Sequence, residues 1–135
     1  MLRSASPKKT VLIVDDQPEI RLLVRLALKE IFLLEEAGNA QVAFDHLSSN
    51  SVDAVVLDVM MPGQINGKEL CARIKADPRL AHIHVVQVSA RGQQVDREEG
   101  LQAGADAYFV KPFSPLALRN YLCGAMLAQN TNANE

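Results

Sequence analysis

Three short apolar runs in this chain each end at a charged residue: Val11-Leu12-Ile13-Val14 at Asp15-Asp16, Ala54-Val55-Val56-Leu57 at Asp58, and Tyr108-Phe109-Val110 at Lys111-Pro112. If these runs are neighbouring parallel strands, three acids and one ammonium meet at one edge of a sheet, where open α/β folds place their ligands. A cluster of that composition suits a hard cation and a phosphoryl group.

Strand-like runs alternate with helix-like runs along the chain, the pattern of βαβ units around a parallel sheet. The first helix is marked by Ile20, Leu23, Val24, Ala27, Leu28 and Ile31 at the helical period, with Asp16 and Glu19 spaced as a capping pair and Pro18 where a helix tolerates a missing donor. A second strand is expected over Phe32–Glu36, a helix over Ala40–Leu47, a strand over Asp53–Leu57 and a helix over Lys68–Ala76, ending before Pro78. The fourth strand is Ile83–Val88, and a last helix begins near Ser114-Pro115 with Leu118, Tyr121, Leu122, Ala125 and Met126 on one stripe. Between them the stretch Gln93–Ala103 has only Val95 and Leu101 as large anchors, which predicts a helix of low local stability.

A chain of 135 residues, 48% apolar and 22% charged, has the size and composition of one domain with one core. That domain is expected over 10–128, with 1–9 unstructured and 129–135 a disordered tail or the start of a linker. A net charge of −2 with scattered basic residues argues against direct nucleic-acid binding. No run is long and apolar enough to span a bilayer or serve as a signal segment, so the cytoplasm is the expected compartment. Cys71 and Cys123 lack metal-ligand spacing and are expected as reduced, buried thiols.

In four segments the chain resembles the receiver domain of bacterial two-component response regulators, of the chemotaxis-regulator type: Asp15-Asp16 after the first strand, Val-Val-Leu-Asp58-Val-Met-Met-Pro62, Val88-Ser89-Ala90, and Ala103 through Lys111-Pro112-Phe113. The resemblance covers about residues 10 to 127. It implies a flavodoxin-like (βα)5 three-layer sandwich with a five-stranded parallel sheet in the order 2-1-3-4-5. By the same resemblance Asp58 accepts a phosphoryl group from a histidine kinase or phosphotransfer protein. Asp15, Asp16, Asp58 and the Met60 carbonyl hold Mg²⁺, Lys111 and Ser89 contact phosphoryl oxygens, and Ser89 and Tyr108 form the switch. The Lys111-Pro112 bond is expected to be cis.

The chemistry fits those residue types. Phosphoryl transfer needs an in-line nucleophile, a cation bridging phosphoryl oxygens and positive charge where negative charge develops. Lys111 serves as a point charge and Ser89 as a hydroxyl donor. Such a domain is not a conventional enzyme; it catalyses its own phosphorylation and dephosphorylation. Phosphorylation would shift a two-state equilibrium and change the face made by the fourth helix, fifth strand and fifth helix, where an output partner or fused output domain binds. A monomer or a phosphorylation-dependent dimer fits this reading.

Each residue also has a plainer reading. Asp16 is a helix-cap candidate, Asp53 and Asp106 are turn residues, Ser89 is a turn hydroxyl, Tyr108 a core aromatic, and His46, His82 and His84 surface histidines. Two rival functions are a Mg²⁺-dependent aspartyl-nucleophile phosphatase and a receiver-fold interaction module that is never phosphorylated. The first wants an acid two residues after its nucleophile, where Gln17 or Met60 stands; the second is expected to lack an acid or the lysine. The loop at 63–67 departs from the family pattern, one residue longer and with Asn66 in place of an acid. By the same resemblance Met60 and Arg91 fall where the family tunes loss of the phosphoryl group through the attacking water, and apolar Met60 with bulky Arg91 predicts a long-lived one.

Overall fold

The computed structural model describes residues 8–59, 66–90, 98 and 101–132, with side chains described as far as residue 127. Five strands, β1 (Thr10–Val14), β2 (Leu33–Ala37), β3 (Ala54–Asp58), β4 (His84–Ser89) and β5 (Ala107–Val110), form one sheet in the order β2-β1-β3-β4-β5. Every neighbouring pair is parallel. The described helices are α1 (Pro18–Leu28), α2 (Ala40–Ser49), α3 (Gly67–Ala76) and α4 (Pro115–Asn132). This is the flavodoxin-like strand order that the receiver resemblance implies, on the parallel sheet expected from the alternation of strands and helices.

Successive strand residues point to opposite faces, so each central strand feeds two cores. Leu12, Val14, Val55, Leu57 and Val85 pack against Ala43 and Leu47 of α2 and Leu70, Cys71 and Ile74 of α3. Val11, Ile13, Val56, Val86 and Val88 pack against Val24 and Leu28 of α1 and Leu118 and Leu122 of α4. Phe32, expected as the first residue of the second strand, instead lies in the turn before β2 as a 1% exposed plug in the second core. Its burial is worth about 2–3 kcal/mol and fixes how α1 returns to the sheet.

Several expectations need correction. The expected cap pair Asp16 and Glu19 does not cap α1: Gln17 is the N-cap residue and makes no side-chain capping bond, while Pro18 occupies the first turn as expected. The Asp16 carboxylate lies instead with the acidic cluster described below. Leu23 is 40% exposed rather than buried, because α1 needs only Val24 and Leu28 fully inside to cover β1 and β3. Cys123 is half-buried, unlike Cys71. His84, expected at the surface, is half-buried, and its Nε2 lies 2.7 Å from the Tyr121 hydroxyl of α4. Helix α4 runs to Asn132, and no Pro or Gly interrupts residues 125–132. The helix expected at Gln93–Ala103 lies mostly outside the described residues; Glu98, Leu101 and Gln102 are helical.

Asp53 and Asp106 do more than turn the chain at the edge opposite the strand ends. The Asp53 carboxylate accepts from the Thr10 amide at 2.8 Å, and Asp106 accepts from the Val85 amide at 2.8 Å and the Lys75 ammonium at 3.0 Å. Burial pushes the Asp106 carboxyl up, but these bonds outweigh it and hold it below its ordinary value. No helix among the described residues is long and apolar enough to cross a membrane.

Candidate functional site

Strand register brings the charged residues together. Val14 pairs with Leu57, so Asp15 and Asp58 leave adjacent strands side by side, and Ser89 pairs with Val110, which puts Lys111 at the same edge. The backbone extends the ladder beyond the strand ends: the Asp15 amide donates to the Ala37 carbonyl at 3.1 Å, Val59 to Val88 at 2.9 Å and Lys111 to Ser89 at 2.7 Å.

Carboxylate oxygens of Asp15, Asp16 and Asp58 all lie within 4.8 Å of one another. Asp15 and Asp58 are buried, at 3% and 4% exposure, and Asp16 faces solvent. The Lys111 ammonium stands 3.0 Å from Asp15 Oδ2 and 3.5 Å from Asp58 Oδ2. One ammonium against three carboxylates leaves a surplus of negative charge in a site with little water. Opposite oxygens around a bound Mg²⁺ are about 4.2 Å apart, so a span of 4.8 Å with oxygen donors only matches a hard divalent cation.

The helix starts hold this edge in place. Gln17, freed from capping, donates its backbone amide to Asp15 Oδ1 at 2.9 Å and accepts from Lys111 at its own Oε1 at 3.3 Å. Asn66 caps α3 in a full capping box with Glu69, and the pattern Asn66-Gly67-Lys68-Glu69 carries that signature in the sequence. Gly67 then passes so close to β3 that an added Cβ would meet the Asp58 carbonyl oxygen at 2.4 Å and Val59 Cα at 2.6 Å. The Lys111-Pro112 bond is cis, as expected, and Phe113 follows it into a narrow crevice shared with Asp15, Ile20, Asp58 and Val88.

Of the expected site residues, Asp15, Asp16, Asp58 and Lys111 converge. Ser89 is fully buried at the end of β4, one strand from Asp58, and Tyr108 sits half-buried on β5 opposite Gln87. Met60 and Arg91, and residues 63–65 of the altered loop, lie outside the described residues. Sequence reasoning missed Gln17 and Arg21. From α1, Arg21 donates to the Asp15 carbonyl at 2.6 Å and to Glu36 of β2 at 2.9 Å. Arg25 binds the other Glu36 oxygen at 2.6 Å and does most to hold that carboxyl below its ordinary 4.5, against burial and with help from Arg21.

The sequence profile of the response regulator receiver domain matches residues 11–122. The chain is 39% identical over 111 residues to the phosphate regulon transcriptional regulatory protein PhoB of Pseudomonas aeruginosa, a match covering 82% of this chain and 48% of that protein. It is 37% identical over 107 residues to histidine kinase P4 of Formosa agariphila, covering 79% of this chain and 8% of that protein. The chain thus spans about half the length of one of these relatives and a small part of the other. Among solved structures, a CheY-like response regulator receiver domain protein from Methanospirillum hungatei superposes with a TM-score of 0.83 at 24% identity, covering 93% of this chain and 99% of that one, a likeness of fold.

Proposed function

The chain belongs to the response regulator receiver family, and on that premise we propose that it accepts a phosphoryl group on Asp58 from a histidine kinase or a histidine phosphotransfer protein, in a Mg²⁺-dependent reaction. The observation that carries this reading is the convergence of three carboxylates within 4.8 Å with the Lys111 ammonium 3.5 Å from the proposed nucleophile. Asp15, Asp16 and Asp58, with the Met60 carbonyl, would hold the ion, which when bound neutralises phosphoryl oxygens and orients the group for in-line attack. An Asp58 carboxylate oxygen bonds to phosphorus as the donor's P–N bond breaks, and the donor imidazole leaves with that electron pair. Lys111 swings its charge from the carboxylates toward a phosphoryl oxygen, and burial at the strand ends keeps water scarce.

The resulting acyl phosphate is the signal. Ser89, buried at the end of β4, turns its hydroxyl toward a phosphoryl oxygen, and Tyr108 of β5 follows into the space vacated. The segment expected as the fourth helix, β5 and α4 then present a changed face to an output partner or fused output domain. Incubation with acetyl phosphate and Mg²⁺, read by intact-protein mass spectrometry, tests the acceptor. One phosphoryl group per wild-type chain, none on Asp58→Asn and none with excess EDTA are expected; stoichiometric labelling of Asp58→Asn would show that the acceptor is another residue.

A further inference from the structure

Asp15 is held at every polar atom it owns. Its amide donates to Ala37 of β2, its carbonyl accepts from Arg21, Oδ1 accepts from the Gln17 amide, and Oδ2 faces Lys111. Two of the groups behind these bonds are consecutive in β2, since Glu36 grips the Arg21 guanidinium and Ala37 takes the Asp15 amide. The edge strand therefore clamps the Asp15-Asp16 turn through the two peptides that flank Asp15. The Arg21 bond to the Asp15 carbonyl is short, 2.6 Å, and charge-assisted, and the guanidinium's planar fork lets one side chain serve a carbonyl and a carboxylate together. Arg25 provides an internal contrast: it binds the same Glu36 at 2.6 Å but has no bond to the Asp15 turn.

We infer that Arg21 is a positioning residue for the cation pocket: by tying Glu36 of β2 to the Asp15 carbonyl, it sets the carboxylates of the acidic turn at the spacing a divalent cation needs, without touching the ion. The inference rests on the Mg²⁺ reading given above. Groups that orient metal ligands from behind change metal affinity by roughly 10–100-fold when removed. The sign separates positioning from charge. Deleting a cation beside a cation pocket tightens Mg²⁺ binding by Coulomb's law alone, so a weakening reports lost geometry.

Isothermal titration of Mg²⁺ into the wild type, Arg21→Gln, Arg21→Lys, Arg25→Gln, Glu36→Gln and Asp15→Asn, each with a thermal melt, tests it. Arg21→Gln is expected to raise the Mg²⁺ Kd at least roughly tenfold, and Arg25→Gln to leave it within about twofold, the scale of an exposed ion pair. Glu36→Gln falls between them, and Arg21→Lys regains part of the loss because one ammonium reaches one partner but not both. An unchanged or tighter Kd in Arg21→Gln, or equal losses in Arg21→Gln and Arg25→Gln, overturns the inference while the pocket stands. A wild type that takes up no more Mg²⁺ than Asp15→Asn overturns the pocket itself, and this inference with it.

Discussion

Replacing Asp58 with Asn should make the protein more stable. The Asp58 carboxylate is 4% exposed, so it has given up most of its hydration, a cost of several kcal/mol for a buried ion. The charges of Asp15, Asp16 and Lys111 around it nearly offset one another. At an effective dielectric of about 20, repulsion from a carboxylate no farther than 4.8 Å is at least roughly 3 kcal/mol and attraction to Lys111 at 3.5 Å roughly 5 kcal/mol. Asp15 contributes that repulsion nearly in full and exposed Asp16 a screened part of it, so the pairwise sum is close to zero and desolvation decides the sign. Asparagine keeps the shape and an acceptor oxygen without the charge. We expect a gain of about 2 kcal/mol without divalent ions, a rise in Tm of roughly 6–10 °C for a chain of this size. Mg²⁺ should close the gap, because an ion at about 100 times its Kd stabilises the wild type by about 2.7 kcal/mol and the variant by less. Urea denaturation with EDTA and then with saturating Mg²⁺ measures both. An Asp58→Asn protein that is no more stable than wild type in EDTA would refute the argument that the site stores charge strain for ligand binding.

Other consequences concern the walls of the site. Gly67→Ala pushes a Cβ into the backbone of Asp58 and Val59, which cannot rotate away, so a loss of about 1–3 kcal/mol and slower phosphorylation are expected; Gly124→Ala meets nothing within 4 Å and should gain about 0.5–1 kcal/mol, both read by chemical denaturation. Asn66→Ala removes the α3 capping box and should cost about 1 kcal/mol in the same assay. Burial holds His84 below its ordinary 6.5, with Asp106 opposing and Lys75 adding to the shift. The unfolded chain therefore takes up that proton first, and the contribution is full above 6.5 and lost as pH falls toward the depressed value. Urea midpoints at about pH 7.5 and about pH 5.5 should differ less in His84→Gln than in wild type.

β1, β3 and β5 were readable because their apolar runs are uninterrupted and stop at charge, and the site because the residues after those runs must share one sheet edge. What stayed hidden depended on contacts made only once the chain folds. Asp16 has the spacing of a cap, yet the carboxylates gathered around Asp58 leave the N-cap position to Gln17. Leu23 keeps the helical period and is still 40% exposed, since period tells which face turns inward but not how wide a face the sheet can cover. Nothing in the spacing of Arg21 and Glu36 announces that they meet across α1 and β2 behind Asp15. The capping box at Asn66 went unread although Asn66 and Glu69 have its spacing, and it gives the asparagine that replaces the usual acid a structural task.

The most direct measurement is to locate the phosphoryl group. Borohydride reduction of the protein after exposure to acetyl phosphate and Mg²⁺, followed by peptide sequencing, converts an acyl phosphate to homoserine at the residue that carried it. Homoserine at position 58, absent when Lys111 is replaced by Met, is the outcome expected; homoserine elsewhere, or a product indifferent to both Mg²⁺ and Lys111, would contradict the account.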